Sequence, residues 1–181
     1  MPHPVRDLPK VCKHLHLPVQ SGSTRVLGLM RRRHTREHYL DLVARIRAAI
    51  PNVQLSTDMI VGFPGETEAD FEETLDACRE IGFHDAFTFK FSAREGTPAT
   101  RFPASDTVSD EVASERLERL IETVRSATRR RNMLLLGTRH EVLIEKLARR
   151  GDLVQARTRD FKTVLLPGDA AMIGRYVTVE L

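Results

Sequence analysis

At 181 residues and 41% apolar content, the chain can bury a core of its own and has room for one domain plus a small appendage, which excludes disorder along its whole length. Its 28 Lys and Arg against 25 Asp and Glu leave a formal charge of only +3, so bulk charge does not mark a nucleic-acid binder and any such case must rest on where the cations lie. The two cysteines, Cys12 and Cys78, have no metal-ligand spacing, which excludes a zinc site and leaves free buried thiols in a reducing compartment as the simple expectation.

In chain order, Leu15, Leu17 and Val19 predict a short strand, and Ser23 can cap a helix running to about residue 30, with Gln20-Ser21-Gly22 as the loop between them. Thr35, followed by Arg36, Glu37 and His38, opens a second helix in which Tyr39, Leu42, Val43, Ile46 and Ile50 share one face until Pro51 ends it. Val53 and Leu55 lead into a buried strand through Met59, Ile60 and Val61; Thr67 then starts a helix with Phe71, Leu75 and Cys78 inward, closing near Gly82. A third strand runs from 86 to 91 with Phe87, Phe89 and Phe91 on one face, and a loop from 92 to 99 follows. Three strand-helix units of this kind predict a partial parallel barrel or an open sheet. A linker over 102–110 gives way to a long amphipathic helix over 110–136, with Leu117, Leu120, Ile121 and Val124 as its apolar stripe. Beyond Gly137 the pattern shortens to β-like pieces at 140–145, 153–157, 163–166 and 175–180, separated by Gly-Asp, Arg-Asp and Pro-Gly-Asp turns, as in a small oligonucleotide-binding barrel. No apolar run approaches the roughly 18 residues of a membrane span, and the opening residues lack a signal peptide's apolar centre, so a soluble cytoplasmic protein with no membrane partner is expected.

Two segments break from apolar runs into polar and glycine residues: 14–23, His-Leu-His-Leu-Pro-Val-Gln-Ser-Gly-Ser, and 57–67, Thr-Asp-Met-Ile-Val-Gly-Phe-Pro-Gly-Glu-Thr. In parallel α/β folds ligands sit where buried strands release the chain into loops, so the two are candidate neighbouring walls of one site. The Gln20 amide both donates and accepts, which suits a ribose hydroxyl, although a loop clamp would use it equally well. Asp58 is a lone carboxylate entering a buried strand; ribose hydroxyls or a helix end could satisfy it. Gly62 and Gly65 around Phe63-Pro64 allow a tight turn and close approach to a ligand before Glu66 and Thr67, as a plain strand-to-helix turn also would. Ser92, Arg94 and Thr97-Pro98 end the third strand, where backbone could frame a base and Arg94 could meet an anionic substrate. His14 and His16 alternate with Leu15 and Leu17, and hydrogen-bonded packing is the simpler role for both.

Cations gather at the end of the long helix, Arg125, Arg129, Arg130 and Arg131, where they could offset the helix dipole or contact RNA. Lys146, Arg149, Arg150, Arg157, Arg159, Lys162 and Arg175 are the candidates for phosphate contacts in the β region, with ordinary surface charge as the alternative. Phe161 and Tyr176 are the only aromatics there, which favours backbone recognition over base stacking.

His-Leu-Pro-Val-Gln-Ser-Gly-Ser, Ile-Val-Gly-Phe-Pro-Gly-Glu-Thr and Phe-Ser-Ala-Arg-Glu-Gly-Thr-Pro-Ala together resemble the tRNA methylthiotransferases of the radical S-adenosylmethionine superfamily, over nearly the whole chain. The likeness is to MiaB-type members, which place a methylthio group on C2 of the isopentenylated adenosine beside the tRNA anticodon. It implies an α/β fold, a partial (βα) radical-SAM barrel over 1–136 with its trailing helix, followed by a small all-β TRAM (OB-like) barrel over 137–181. It also implies S-adenosylmethionine as cofactor, with Gln20, Ser21, Arg32, Asp58, Gly62, Glu66 and Ser92 as its binding residues, and tRNA as partner of Arg94, Arg129, Arg130, Lys146, Arg149, Arg157 and Lys162. Arg32, twelve residues beyond Gln20, would pair with the methionine carboxylate through its planar fork, while Arg31 and Arg33 beside it leave surface charge as the alternative. Such enzymes carry two 4Fe–4S clusters on six cysteines, none of which has a counterpart here. The expectation is a C-terminal portion without catalytic residues or metal ligands, inactive alone, whose partner is the missing N-terminal half. The alternatives are a noncatalytic RNA-binding remnant and a portion of a ribosomal-protein methylthiotransferase.

Overall fold

The computed structural model describes residues 4–149 and 151–181, so Arg150 and the first three residues lie outside the described residues. The elements are α1 (Pro4–Asp7), β1 (His14–His16), α2 (Thr24–Leu29), α3 (Arg36–Ala49), β2 (Gln54–Val61), α4 (Glu68–Ile81), β3 (Asp85–Lys90), α5 (Asp110–Met133), β4 (Arg139–Leu147), β5 (Leu153–Thr158), β6 (Thr163–Pro167) and β7 (Tyr176–Glu180). They form two compact units: Leu15–Ala49 with Leu55–Arg130, and the chain before Leu15 with Ile50–Gln54 and Arg131–Leu181.

The first unit is built on a sheet of order β1-β2-β3, in which β2 and β3 run parallel with Ser56 opposite Asp85 and Val61 opposite Lys90. Alternation along β2 buries Leu55, Thr57, Met59 and Val61, together with the predicted inward residues Tyr39, Val43, Phe71, Leu75 and Cys78. Asp58 and Ile60 point the other way and are half-buried, and across the register from them Phe87 and Phe89 stay 53% and 50% exposed. The sheet therefore has one packed face and one open face. Helix α4 starts as its sequence predicts: Thr67 caps it and Asp70 completes a capping box, while Gly82 at φ 56 closes it in the left-handed region.

Helix α5 departs from expectation in two ways. It ends at Met133 instead of 136, and its buried stripe is Ala113, Arg116, Leu120, Val124 and Ala127, with Leu117 and Ile121 only partly covered. The stripe is rotated because Arg116 turns inward to pair with Glu66 at 2.9 Å, a demand that apolar spacing does not register. Cys12 also departs: it is exposed, in the turn-rich segment before β1, whereas Cys78 is buried and its thiol is pushed up to about 11 by burial.

The second unit carries a curled antiparallel sheet of order β6-β5-β4-β7, bulged between Ile144 and Lys146. Val142, Ile144, Val154 and Ala156 are fully buried at alternating positions, with Val164, Leu166, Met172, Val177 and Val179 packed on them. The chain end closes back onto the start of the sheet through Gly137 N to Leu181 O at 2.7 Å. Among the described residues no helix is long and apolar enough to cross a membrane.

Candidate functional site

The loop after β1 is set by an unusual backbone. Gln20 lies at φ +73, a region that a residue with a Cβ occupies at a cost of about 1 kcal/mol or more. Two bonds hold it there, Gln20 N to Asp58 O and Ile60 N to Gln20 O, both 2.9 Å, making an isolated parallel bridge with β2. Gln20 is 6% exposed, yet among the described residues nothing hydrogen-bonds its side-chain amide.

Gln20 lines a cavity of about 790 Å³ on the open side of the sheet. Asp58, Arg31, Arg32, Lys90, Ser92, Arg94 and Thr97 supply the other polar lining, and Leu29, Met30, Ile60, Phe63, Phe89, Phe91, Pro98, Ala99 and Phe102 the apolar part. Phe63 is edge-on to Phe91 at 5.0 Å and to Phe102 at 5.6 Å, so the apolar end is walled by mutually braced rings. A mostly apolar hollow with a few convergent polar groups, one carboxylate among several cations, has the make-up of a small-molecule site for a ligand that is part heterocycle and part zwitterion. Five of the sequence-predicted positions, Gln20, Arg32, Asp58, Ser92 and Arg94, lie on this one wall.

Ser21, Gly62 and Glu66 lie off that lining and are engaged within the protein. The Ser21 hydroxyl sits 3.3 Å from Thr74 Oγ1 and accepts from Ser23 N at 3.1 Å. Gly62, at φ +73, leaves no room for a side chain, since a Cβ would lie 2.7 Å from that of Ala113, and its N–H donates to Glu66 Oε1 at 3.0 Å. Burial pushes the Glu66 carboxyl up, against the Gly62 N–H and the Arg116 guanidinium, which favour its charged form.

Both loops are fastened to the first turns of α4. Thr74 Oγ1 accepts from Gly22 N at 2.9 Å, in a contact so close that a Cβ on Gly22 would lie 2.5 Å from Glu73 O. Asp70 accepts from Ser23 Oγ at 2.7 Å, from Thr67 N at 2.8 Å and from Arg25, so one carboxylate joins the caps of α2 and α4. Burial alone would raise its pKa, but these donors, Arg25 foremost, hold it well below the usual carboxylate range. The Thr67-to-Asp70 spacing is a readable capping box; the Ser23, Thr74 and Arg116 contacts carry no sequence signal.

The cations expected to meet RNA fall into two groups. Arg129, Arg130, Lys146 and Arg149 are exposed. Arg157 is engaged, with Nε 2.8 Å from Glu145 and its guanidinium 4.4 Å over the Phe161 ring, and Lys162 Nζ donates to Asn132 Oδ1 at 2.5 Å. Phe161 also stacks on His14 at 4.7 Å, so Phe161 sits in a three-membered contact with His14 and Arg157 that sequence alone did not reveal, whereas Tyr176 stays exposed.

The radical SAM superfamily profile matches residues 3–78, and the TRAM domain profile matches residues 134–181. The chain is 49% identical, over 98% of its length, to 40% of the tRNA-2-methylthio-N(6)-dimethylallyladenosine synthase of Moorella thermoacetica. It is 47% identical, again over 98%, to 37% of the corresponding synthase of Acetivibrio thermocellus. It thus spans about 40% of the length of the curated relatives it matches. Coproporphyrinogen III oxidase from Escherichia coli, a radical SAM enzyme, shares the fold with a TM-score of 0.55 over 81% of this chain and 41% of that one, at 16% identity. With both domain matches and near-complete coverage of the chain by these relatives, the chain joins a radical SAM match to a TRAM domain match and is similar over nearly its whole length to tRNA methylthiotransferases.

Proposed function

We propose that the chain is the nucleotide-binding and RNA-docking part of a tRNA-2-methylthio-N(6)-dimethylallyladenosine synthase, which methylthiolates C2 of the isopentenylated adenosine beside the anticodon. In this reading 1–136 is the portion of the catalytic domain and 137–181 the docking domain. The observation that carries it is Gln20, a residue only 6% exposed whose amide makes no hydrogen bond among the described residues, lining the same cavity as Asp58. A donor-acceptor amide and a carboxylate suit the two hydroxyls of a ribose, Arg32 suits an α-carboxylate, and Ser92 with the strand-end backbone suits an adenine edge. S-adenosylmethionine has all three parts and, when bound, supplies a transferable methyl group on a sulfonium centre. The chain's own task is to orient it: Gln20 and Asp58 fix the ribose, and the phenylalanine wall excludes water from the sulfonium end.

A 4Fe–4S cluster does not fit the residues present. It needs several thiolates together, whereas the chain has Cys12, exposed, and Cys78, buried with its thiol held protonated, and no group of three or more potential ligands occurs among the described residues. We take the cluster ligands to come from a cysteine-bearing N-terminal segment as partner, and the setting to be cytoplasmic, where tRNA is modified. Ser21, Gly62 and Glu66 then support the ligand indirectly, by holding the loops. Arg94, Arg129 and Arg130 in one unit, and Lys146 and Arg149 in the other, are the candidates for tRNA phosphates, while Arg157 and Lys162 are already engaged within their own unit.

Calorimetric titration of the chain with S-adenosylmethionine tests this. Asp58→Ala should weaken binding at least about tenfold, the equivalent of one lost charge-assisted hydrogen bond. Equal affinity in the two proteins would refute the site. Binding of RNA alone, steeply dependent on salt, would favour the noncatalytic RNA-binding alternative instead.

A further inference from the structure

We infer that His16 is a positioning residue that aims the Asp58 carboxylate into the cavity; this rests on the ligand site proposed above and adds a residue to it. The His16 ring sits on the open face of the sheet with Nε2 3.4 Å from Asp58 Oδ1 and Nδ1 2.9 Å from Ser56 Oγ. Its edge meets Phe87 at 6.0 Å and 70°, so contacts from β2 and β3 fix the plane of a ring that β1 supplies. Ser56 is 3% exposed, which makes its hydroxyl a fixed anchor.

Donor and acceptor counting names the arrangement proposed. A carboxylate oxygen accepts, so a hydrogen on His16 Nε2 is the one that would face Asp58, and Nδ1 of that tautomer would accept from the Ser56 hydroxyl. Asp58 itself is 30% exposed at the side chain and has no other side-chain partner among the described residues, so without His16 its χ angles would be free to turn toward solvent. The imidazole occupies one carboxylate oxygen and leaves the other for a ligand hydroxyl. This is the arrangement by which an outer partner orients an inner binding group.

The test compares His16→Gln, which keeps a donor near the place of Nε2, with His16→Asn, which reaches only as far as Nδ1, and with His16→Ala. S-adenosylmethionine affinity is the first readout. Asn and Ala should weaken it about tenfold, as for one lost orienting polar contact, and Gln should restore it to within about threefold. The second readout needs no ligand: the ¹⁵N pattern of the His16 ring should be that of the Nε2–H tautomer in the parent and should change in Asp58→Asn. Thermal unfolding separates a folding defect, because a merely structural role would lower stability in all three variants without the Gln rescue of affinity. Wild-type binding by His16→Ala, or an Nδ1–H ring, overturns the inference while leaving the ligand site standing. No binding by the parent chain overturns the site itself, and the positioning role falls with it.

Discussion

Replacing Asp70 should loosen both site loops at once. Its carboxylate is buried at 7% side-chain exposure and accepts from Ser23 Oγ, Thr67 N and Arg25. In Asp70→Ala the capping box of α4 is lost, worth about 1 kcal/mol. The buried Ser23 hydroxyl loses a charge-assisted partner, worth about 1.5 kcal/mol. Arg25 is half exposed, so its pair adds only about 0.5 kcal/mol after solvent screening. Together these come to about 3 kcal/mol, which for a chain of this size lowers Tm by about 9 °C. Asp70→Asn keeps one acceptor oxygen and should lose about half as much. The pH dependence has a definite sign. The folded carboxyl lies below its unfolded value of about 3.9, so its contribution is complete above that value and is lost as pH falls through the folded pKa. The Tm gap between the parent and Asp70→Asn should therefore be constant from pH 7 to about 5 and shrink from about 4 downward. Scanning calorimetry across that range measures it. A gap that widens on acidification, or an Asp70→Ala protein as stable as the parent, would refute the network.

Arg116→Met strands Glu66 in the interior without its cation; the loss should be about 3–5 kcal/mol in denaturant unfolding at pH 7, and Glu66→Gln in the same background should recover part of it. Gly22→Ala forces the loop off α4, since the new methyl would overlap Glu73 O, and should cost about 1–3 kcal/mol with a parallel loss of ligand affinity; an unchanged Tm would contradict the close approach. In RNA-binding titrations, Lys146→Ala combined with Arg149→Ala should weaken affinity across sequences and reduce the salt slope by about 2, whereas an unchanged slope would remove both from the phosphate surface.

The order of elements was legible because local signals bounded each one. Thr67 with Asp70, Gly82, Pro51 and the Phe87–Phe89 alternation mark ends and faces that the structure repeats to within a few residues. The polar breaks after β1 and β2 were likewise visible as strand ends, and Gln20 and Asp58 stood out as polar residues in apolar surroundings. What periodicity could not supply was the partner of each polar group. Helical spacing chose Leu117 for the core of α5, but the uncompensated Glu66, 50 positions before Arg116, drew that arginine inward instead. His16 looked like packing because its two bonding partners, Ser56 and Asp58, reach it only once β1 and β2 lie side by side. Sequence by itself determined where strands and helices start and stop, since caps, prolines and alternation act over a few residues. Only the tertiary structure decided which buried charges meet and which face of the sheet stays open, since those depend on contacts between segments that no local pattern encodes.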